Sequence, residues 1–190
     1  MANKIKFGLK NVYYAVATIA ADGSATYETP VAFPGAVSLS LDPQGENTPF
    51  YADNIVYWTG VSNTGYEGDL EIARVTDSFK TGVLGYLNSG NGLYVEDANA
   101  QAVHFALMFQ FEGDKNAKRS VLYNCVASRP TVAGSTKEES IEPQTETISI
   151  TATTVFNAVL NTDVVKASCT ETESTTYNGW LSAVYQTTST

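Results

Sequence analysis

The 190-residue chain is long enough for one domain with a real core and too short for two of ordinary size. Apolar residues make up 43 % and charged residues only 16 %, which excludes a disordered chain; abundant Tyr, Phe, Thr and Ser favour strands over helices. Twenty acids against eleven bases leave a net charge of −9, which keeps the chain soluble and argues against a nucleic-acid grip, because neutralising phosphates requires Lys and Arg.

Lys4, Lys6 and Lys10 open the chain ahead of a mild apolar run from Val12 to Ala21. A secretory leader has that outline, but Phe7 and Leu9 interrupt the basic part, and Ile5, Phe7 and Leu9 alternate with the lysines as in a strand. The segment therefore reads as mature structure, continued by a strand over 12–19. Pro30, Pro34 and Gly35 break the chain before a strand over 36–41. Residues 42–68 form a long excursion, a loop or hairpin expected to protrude from a single domain spanning 1–190. It holds Pro43, Gly45, Pro49, Gly60, Gly65 and Gly68, yet also Phe50, Tyr51, Ile55, Val56, Tyr57, Trp58 and Tyr66. So many aromatics on a surface segment suit a partner that covers them. A hairpin folded back over its own core fits the same residues equally well.

A strand over 70–75 leads to one helix candidate. Thr76 or Asp77 caps it, and Phe79, Val83, Tyr86 and Leu87 fall at i, i+4, i+7 and i+8 as a packing face. Gly82 and Gly85 cost about 1 kcal/mol each relative to Ala, so the helix needs a sheet beneath that stripe; residues 88–92 end it. Next, Val103, Phe105, Leu107, Phe109 and Phe111 alternate with His104, Ala106, Met108 and Gln110, and a turn-rich stretch over 112–116 precedes the alternating run 121–127. This is an antiparallel hairpin. Neither face of it is fully polar, so both faces are expected to meet protein. Residues 130–145 read as a polar, acidic connection, and further strands are expected over 147–156, 164–170 and 180–185.

The sequence offers little for chemistry. His104 is the single histidine and reads as a structural residue in mid-strand. Cys125 and Cys169 lack the spacing of a zinc site and read as free thiols. The glycines of 88–92 lack the Lys-Ser/Thr of a phosphate loop, and no metal or cofactor is expected. Asp53, Glu67 and Asp69 lie in or beside the aromatic excursion, where a sugar-cleaving pair would need a fixed separation. A chain with 20 acids places such groups together by chance. No apolar run approaches membrane-spanning length.

Three blocks carry a resemblance: residues 7–15 (FGLKNVYYA), 34–43 (PGAVSLSLDP) and 48–54 (TPFYADN). In order and spacing, with a short helix after Arg74, residues 4–90 resemble the phi13-type major tail proteins of phages with long, non-contractile tails. The resemblance implies a mainly β fold with one flanking α-helix, a β-sandwich or half-barrel of tail-tube type. It implies a non-enzymatic virion subunit, made in the bacterial host cytoplasm, that self-assembles as hexameric rings stacked into a tube through which DNA is delivered. A tape measure protein, a tail terminator and a distal tail protein are the implied partners. A long loop touching the neighbouring ring makes Lys4, Lys6, Phe50, Tyr51, Ile55, Tyr57, Trp58 and Tyr66 the inter-subunit contact candidates. The competing readings are a secreted β-sandwich binding module with Tyr57, Trp58 and Tyr66 as a carbohydrate platform, and a hydrolase using the Asp53, Glu67 and Asp69 neighbourhood.

Overall fold

A computed structural model describes residues 3–113, 115–136, 143–170 and 174–186. The strands before the first helix are β1 (Lys6–Ile19), β2 (Ala25–Tyr27), β3 (Val31–Ala32), β4 (Ala36–Gln44), β5 (Asn47–Ala52), β6 (Ile55–Val61) and β7 (Gly65–Ile72). Then follow α1 (Asp77–Gly82), β8 (Leu87–Asn88), β9 (Tyr94–Val95), β10 (Phe105–Gly113), β11 (Lys118–Ala127), β12 (Glu146–Thr153), β13 (Val155–Asn157), β14 (Thr162–Val164), β15 (Lys166–Cys169) and α2 (Thr175–Gly179). The protein is mostly β, as its composition suggests.

One large antiparallel sheet runs in the order β2-β1-β10-β11-β12-β7-β4, with β3 added to β1 and β15 to β11. Two register shifts in β1 surround Gly8 and Asn11, whose φ angles are 58° and 51°. Such bulges bend a strand and increase its twist. The outcome is a curled sheet whose first and last strands approach each other. The Phe33 N–H donates to the Val12 carbonyl at 2.8 Å, the Ala73 N–H donates to the Gly35 carbonyl at 2.8 Å, and β4 begins at the next residue. Three residues thus tie β1 to β4 and give the sheet its half-barrel form.

The concave side holds the main core: Val12 and Tyr14 from β1, Phe105 and Leu107 from β10, Leu122 from β11, Ile148 and Ile150 from β12, and Leu70 and Ile72 from β7. Helix α1 lies against it. Thr76 caps the helix by accepting from the Phe79 N–H, and Phe79 is the centre of an aromatic cluster. Its ring stacks on Phe33 at 4.5 Å between centroids and meets Tyr14 and Phe105 edge-on at 5.0 and 5.5 Å. The convex side of the same central strands carries a second cluster, in which Ala15, Ala106, Met108, Val121 and Tyr123 are covered by Val155 and Trp180. Both faces of the β10–β11 hairpin therefore meet protein, and on both sides the chain itself supplies the cover.

Several sequence expectations shift. The helix ends at Gly82 rather than running on to Leu87. Phe79 and Val83 are fully buried and Tyr86 packs partly against the core, but Leu87 stands 59 % exposed in β8 and is no part of a helical face. Gly85, with φ of 73°, turns the chain away from helical geometry. Residues 180–185 are not a strand; they follow α2 and place Trp180 and Tyr185 with parallel rings on the convex side. The strand expected over 70–75 begins earlier, at Gly65. Of the polar connection over 130–145, residues 137–142 lie outside the described residues. Because Phe79 fills the space between α1 and the sheet, Phe79→Ala should destabilise the fold by about 3–5 kcal/mol; a shift in the urea midpoint without a change in slope would show it.

Candidate assembly surface

The residues with chemical potential sit in ordinary structural settings. His104 lies immediately before β10, exposed, and not in mid-strand as the alternation suggested. Its Nδ1 is 2.7 Å from Asn124 Oδ1. Asn124 donates its amide hydrogens to the Thr153 hydroxyl and the Thr154 carbonyl, so the histidine must be the donor. The bond ties the start of β10 to β11 and presents no nucleophile. Among the described residues no three His, Cys, Asp or Glu side chains gather as a metal would require. Asp53 is eleven residues beyond Asp42, the register partner of Glu67, which is about 36 Å along extended chain. Carboxylates that share glycosidic chemistry stand within about 10 Å, so Asp53 and Glu67 cannot act as such a pair.

Cys125 and Cys169 are both free. Burial pushes the Cys125 thiol up to about 12 and the Tyr123 phenol up to about 12. Tyr123 also donates its hydroxyl to the Tyr185 carbonyl at 2.8 Å.

The 42–68 excursion is where the structure departs from a self-contained domain. β4 and β7 pair from Ala36 with Ile72 to Gln44 with Gly65, and β5 and β6 continue the ribbon beyond the sheet. Bonds from the Ser62 N–H to the Glu46 carbonyl and from the Thr64 N–H to the Gln44 carbonyl bridge the join. The ribbon closes at Asp53 and Asn54, with φ of 50° and 61°, the paired positive values of a type I′ turn. β5 and β6 pair with no other strand among the described residues.

Its aromatics are open to solvent on both faces. Phe50 is 58 % exposed, Tyr51 64 %, Ile55 62 %, Tyr57 70 % and Trp58 61 %. A register shift between Phe50 and Tyr51 leaves Tyr57 as the unpaired bulge residue. The Trp58 indole lies over Gly60, where a Cβ would come within 2.6 Å of Cη2 and the ring would have to shift. Tyr66 is set apart from this group. It is half-buried against the main core with the Lys166 ammonium 5.0 Å from its ring centroid. Lys4 and Lys6 stand exposed at the other labelled position, the start of β1.

Two of the carboxylates weighed as hydrolase candidates, Glu67 and Asp69, belong instead to an acidic sheet face. On β7, Glu67, Asp69 and Glu71 point away from the core, opposite Leu70 and Ile72, with β4 and β12 on either side. The Ser149 hydroxyl donates to Asp69 at 2.7 Å, and the Thr145 and Ser38 hydroxyls donate to Glu71. Those two bonds, Thr145 first, hold the Glu71 carboxyl below its usual range. None of these three strands carries a Lys or Arg. The period-2 pattern of Glu67 to Ile72 was its signal, hidden by reading residues up to 68 as loop.

The described residues form an antiparallel half-barrel with a flanking helix and an uncovered aromatic ribbon. The sequence profile of the phage tail tube proteins matches residues 2–178. The chain belongs to that family. Comparison with curated proteins found no match. The family match reaches well past residue 90, where the resemblance read from the sequence ends, and takes in the sheet, α1, the start of α2 and the ribbon. As a tail tube protein the chain is a structural component of the virion tail, and no helix among its described residues is long and apolar enough to cross a membrane.

The buried thiol gives a check on this core. Thiol reagent at neutral pH should label Cys169 and spare Cys125 until the protein is denatured, as peptide mass spectrometry would reveal. The sign of the alkaline response follows from the raised values. Tyr123 and Cys125 stay protonated in the fold, so their contribution to stability is complete below about pH 9 and falls away as pH rises towards about 12. Unfolding followed by tyrosinate absorbance should then be cooperative in that interval.

Proposed function

We propose that this chain is the major subunit of the tail tube, assembling as stacked hexameric rings around a channel for DNA. The observation that carries the reading is the ribbon over 47–61. The sheet's apolar faces are covered by α1 and by Val155 and Trp180, whereas Phe50, Tyr51, Ile55, Tyr57 and Trp58 are left to water. A contiguous apolar patch on a soluble subunit is explained by a partner, and in a tube the partner is another copy. The ribbon protrudes from a single domain and acts as the contact between rings, and Lys4 and Lys6 belong to the surface that a neighbouring copy covers.

Charge supports the conduit. Six copies with −9 each place about 54 net negative charges in every ring. Like-charged phosphate passes such a wall without adhering, since counterion release needs cationic groups. The face of Glu67, Asp69 and Glu71, carrying hydroxyls and no base, is the surface of this subunit best suited to line the channel. The tape measure protein, terminator and distal tail protein would meet the tube through contacts that copies of this chain otherwise make with each other, and synthesis would occur in the host cytoplasm. A carbohydrate platform of Tyr57, Trp58 and Tyr66 loses support, because Tyr66 packs into the core away from the other two.

Negative-stain microscopy of concentrated protein should show rings or tubes. Tyr57→Ser with Trp58→Ser should abolish them while leaving the circular dichroism spectrum and melting temperature of the subunit almost unchanged, because both side chains are largely exposed. Wild-type protein that remains monomeric at high concentration, with the ribbon protected from hydrogen exchange, would sink the reading.

A further inference from the structure

The ribbon has a chemical complement elsewhere on the same molecule. Residues 42–68 contain Asp42, Glu46, Asp53 and Glu67 and no Lys or Arg. The opposite bias occurs where β1 begins. Lys4, Lys6 and Lys10 precede every acid in the chain, and the β10–β11 turn, paired beside them, brings Lys115 and Lys118. Lys10 pairs with Glu112 and Lys6 lies over the Phe111 ring at 4.7 Å. Neither Lys6 nor Lys115 nor Lys118 has a carboxylate in salt-bridge reach among the described residues. Ile5 and Phe7 stand 60 % and 51 % exposed between these lysines. One region is thus apolar and acidic, the other apolar and basic.

The two regions belong to different ends of the ribbon's path. Val12 is bonded to Phe33, three residues from the start of β4. Lys6 is six residues from Val12, at most about 20 Å away. Phe50 is fourteen residues beyond Ala36, about 46 Å along the ribbon. β4 pairs with β7 along its length and β7 with β12, which holds the base of the ribbon in line with the sheet. β1 and the β5–β6 hairpin accordingly share no extensive contact.

We propose that the β5–β6 hairpin of one copy docks on the basic start of β1 and the β10–β11 turn of a second copy. The aromatics cover Ile5 and Phe7, and the carboxylates of Glu46 and Asp53 face Lys6, Lys115 and Lys118. Each copy then gives its hairpin to one neighbour and receives a hairpin from another, a heterologous contact that propagates. This pairing rests on the assembly reading above and supplies its specificity, since opposed charges steer encounter and fix register.

The test uses the full-length chain and exposed residues only. Lys6→Glu with Lys118→Glu should raise the concentration needed for assembly, read by sedimentation, at least about tenfold, because it sets like charges face to face. Glu46→Lys with Asp53→Asn should act in the same direction; Asn keeps the left-handed turn position. Joining all four changes should bring assembly back to within about threefold of wild type. Melting curves confirm that each subunit folds. Tubes that form normally from the Lys6→Glu, Lys118→Glu protein assign the hairpin to another partner and overturn the pairing, as does a combined variant no better than its worse parent. Wild-type protein that never assembles overturns the tube reading itself and the pairing with it.

Discussion

A sheet whose central strands are apolar on both sides has to be covered twice, and the rest of this molecule is arranged around that requirement. β10 and β11 present Phe105, Leu107 and Leu122 to one side and Ala106, Met108 and Val121 to the other. The bulges at Gly8 and Asn11 curl the sheet so that its concave side closes over the first set, with α1 filling the remaining gap through Phe79 and Val83. The second set is sealed by Val155 and Trp180, brought in by the C-terminal third of the chain. Burial of this kind, at roughly 25 cal/mol per Å² of apolar area, is the main force holding the subunit, and it is complete within one copy.

That completeness gives the ribbon its meaning. Had the sheet faces been left open, exposed aromatics on a hairpin would be one apolar surface among several. With both faces sealed, Phe50, Tyr51, Ile55, Tyr57 and Trp58 stand out on a two-stranded element that contributes nothing to the core. Their position beyond the sheet edge separates the apolar surface that is left open from the apolar surface that holds the fold. A member of the tail tube family has a use for such a surface.

Much of this was legible in the chain. The alternation over 103–127 located the central hairpin because side chains in a strand change face at every residue. The aromatics of 50–58 marked the excursion but not whether it protrudes or folds back over the core, and the Thr76 cap located the helix start. The misreadings have physical causes. Leu87 kept helical spacing from Phe79, but Gly85 adopts a conformation that ends helical geometry and turns Leu87 outward. Trp180 and Tyr185 have strand-like composition, yet they cover the sheet instead of joining it. Apolar strand faces called for covering protein, and α1 and remote segments of the same chain supply it; a one-dimensional pattern records that a face is apolar and not which segment meets it. The acidic face of β7 was missed because Gly65 and Gly68 resembled loop punctuation, although Gly68 sits within a paired strand.

The first strand of the ribbon carries two prolines, Pro43 in β4 and Pro49 in β5, on the side of the molecule where neither strand has a second partner among the described residues. An open strand edge is a standing invitation to add backbone from any passing chain, with fibres as the consequence. Proline has no N–H to offer, so the outer edge of the ribbon is interrupted at two places six residues apart. Recognition on that edge is thereby handed from main chain to side chains, which guards the open ribbon against indiscriminate strand addition.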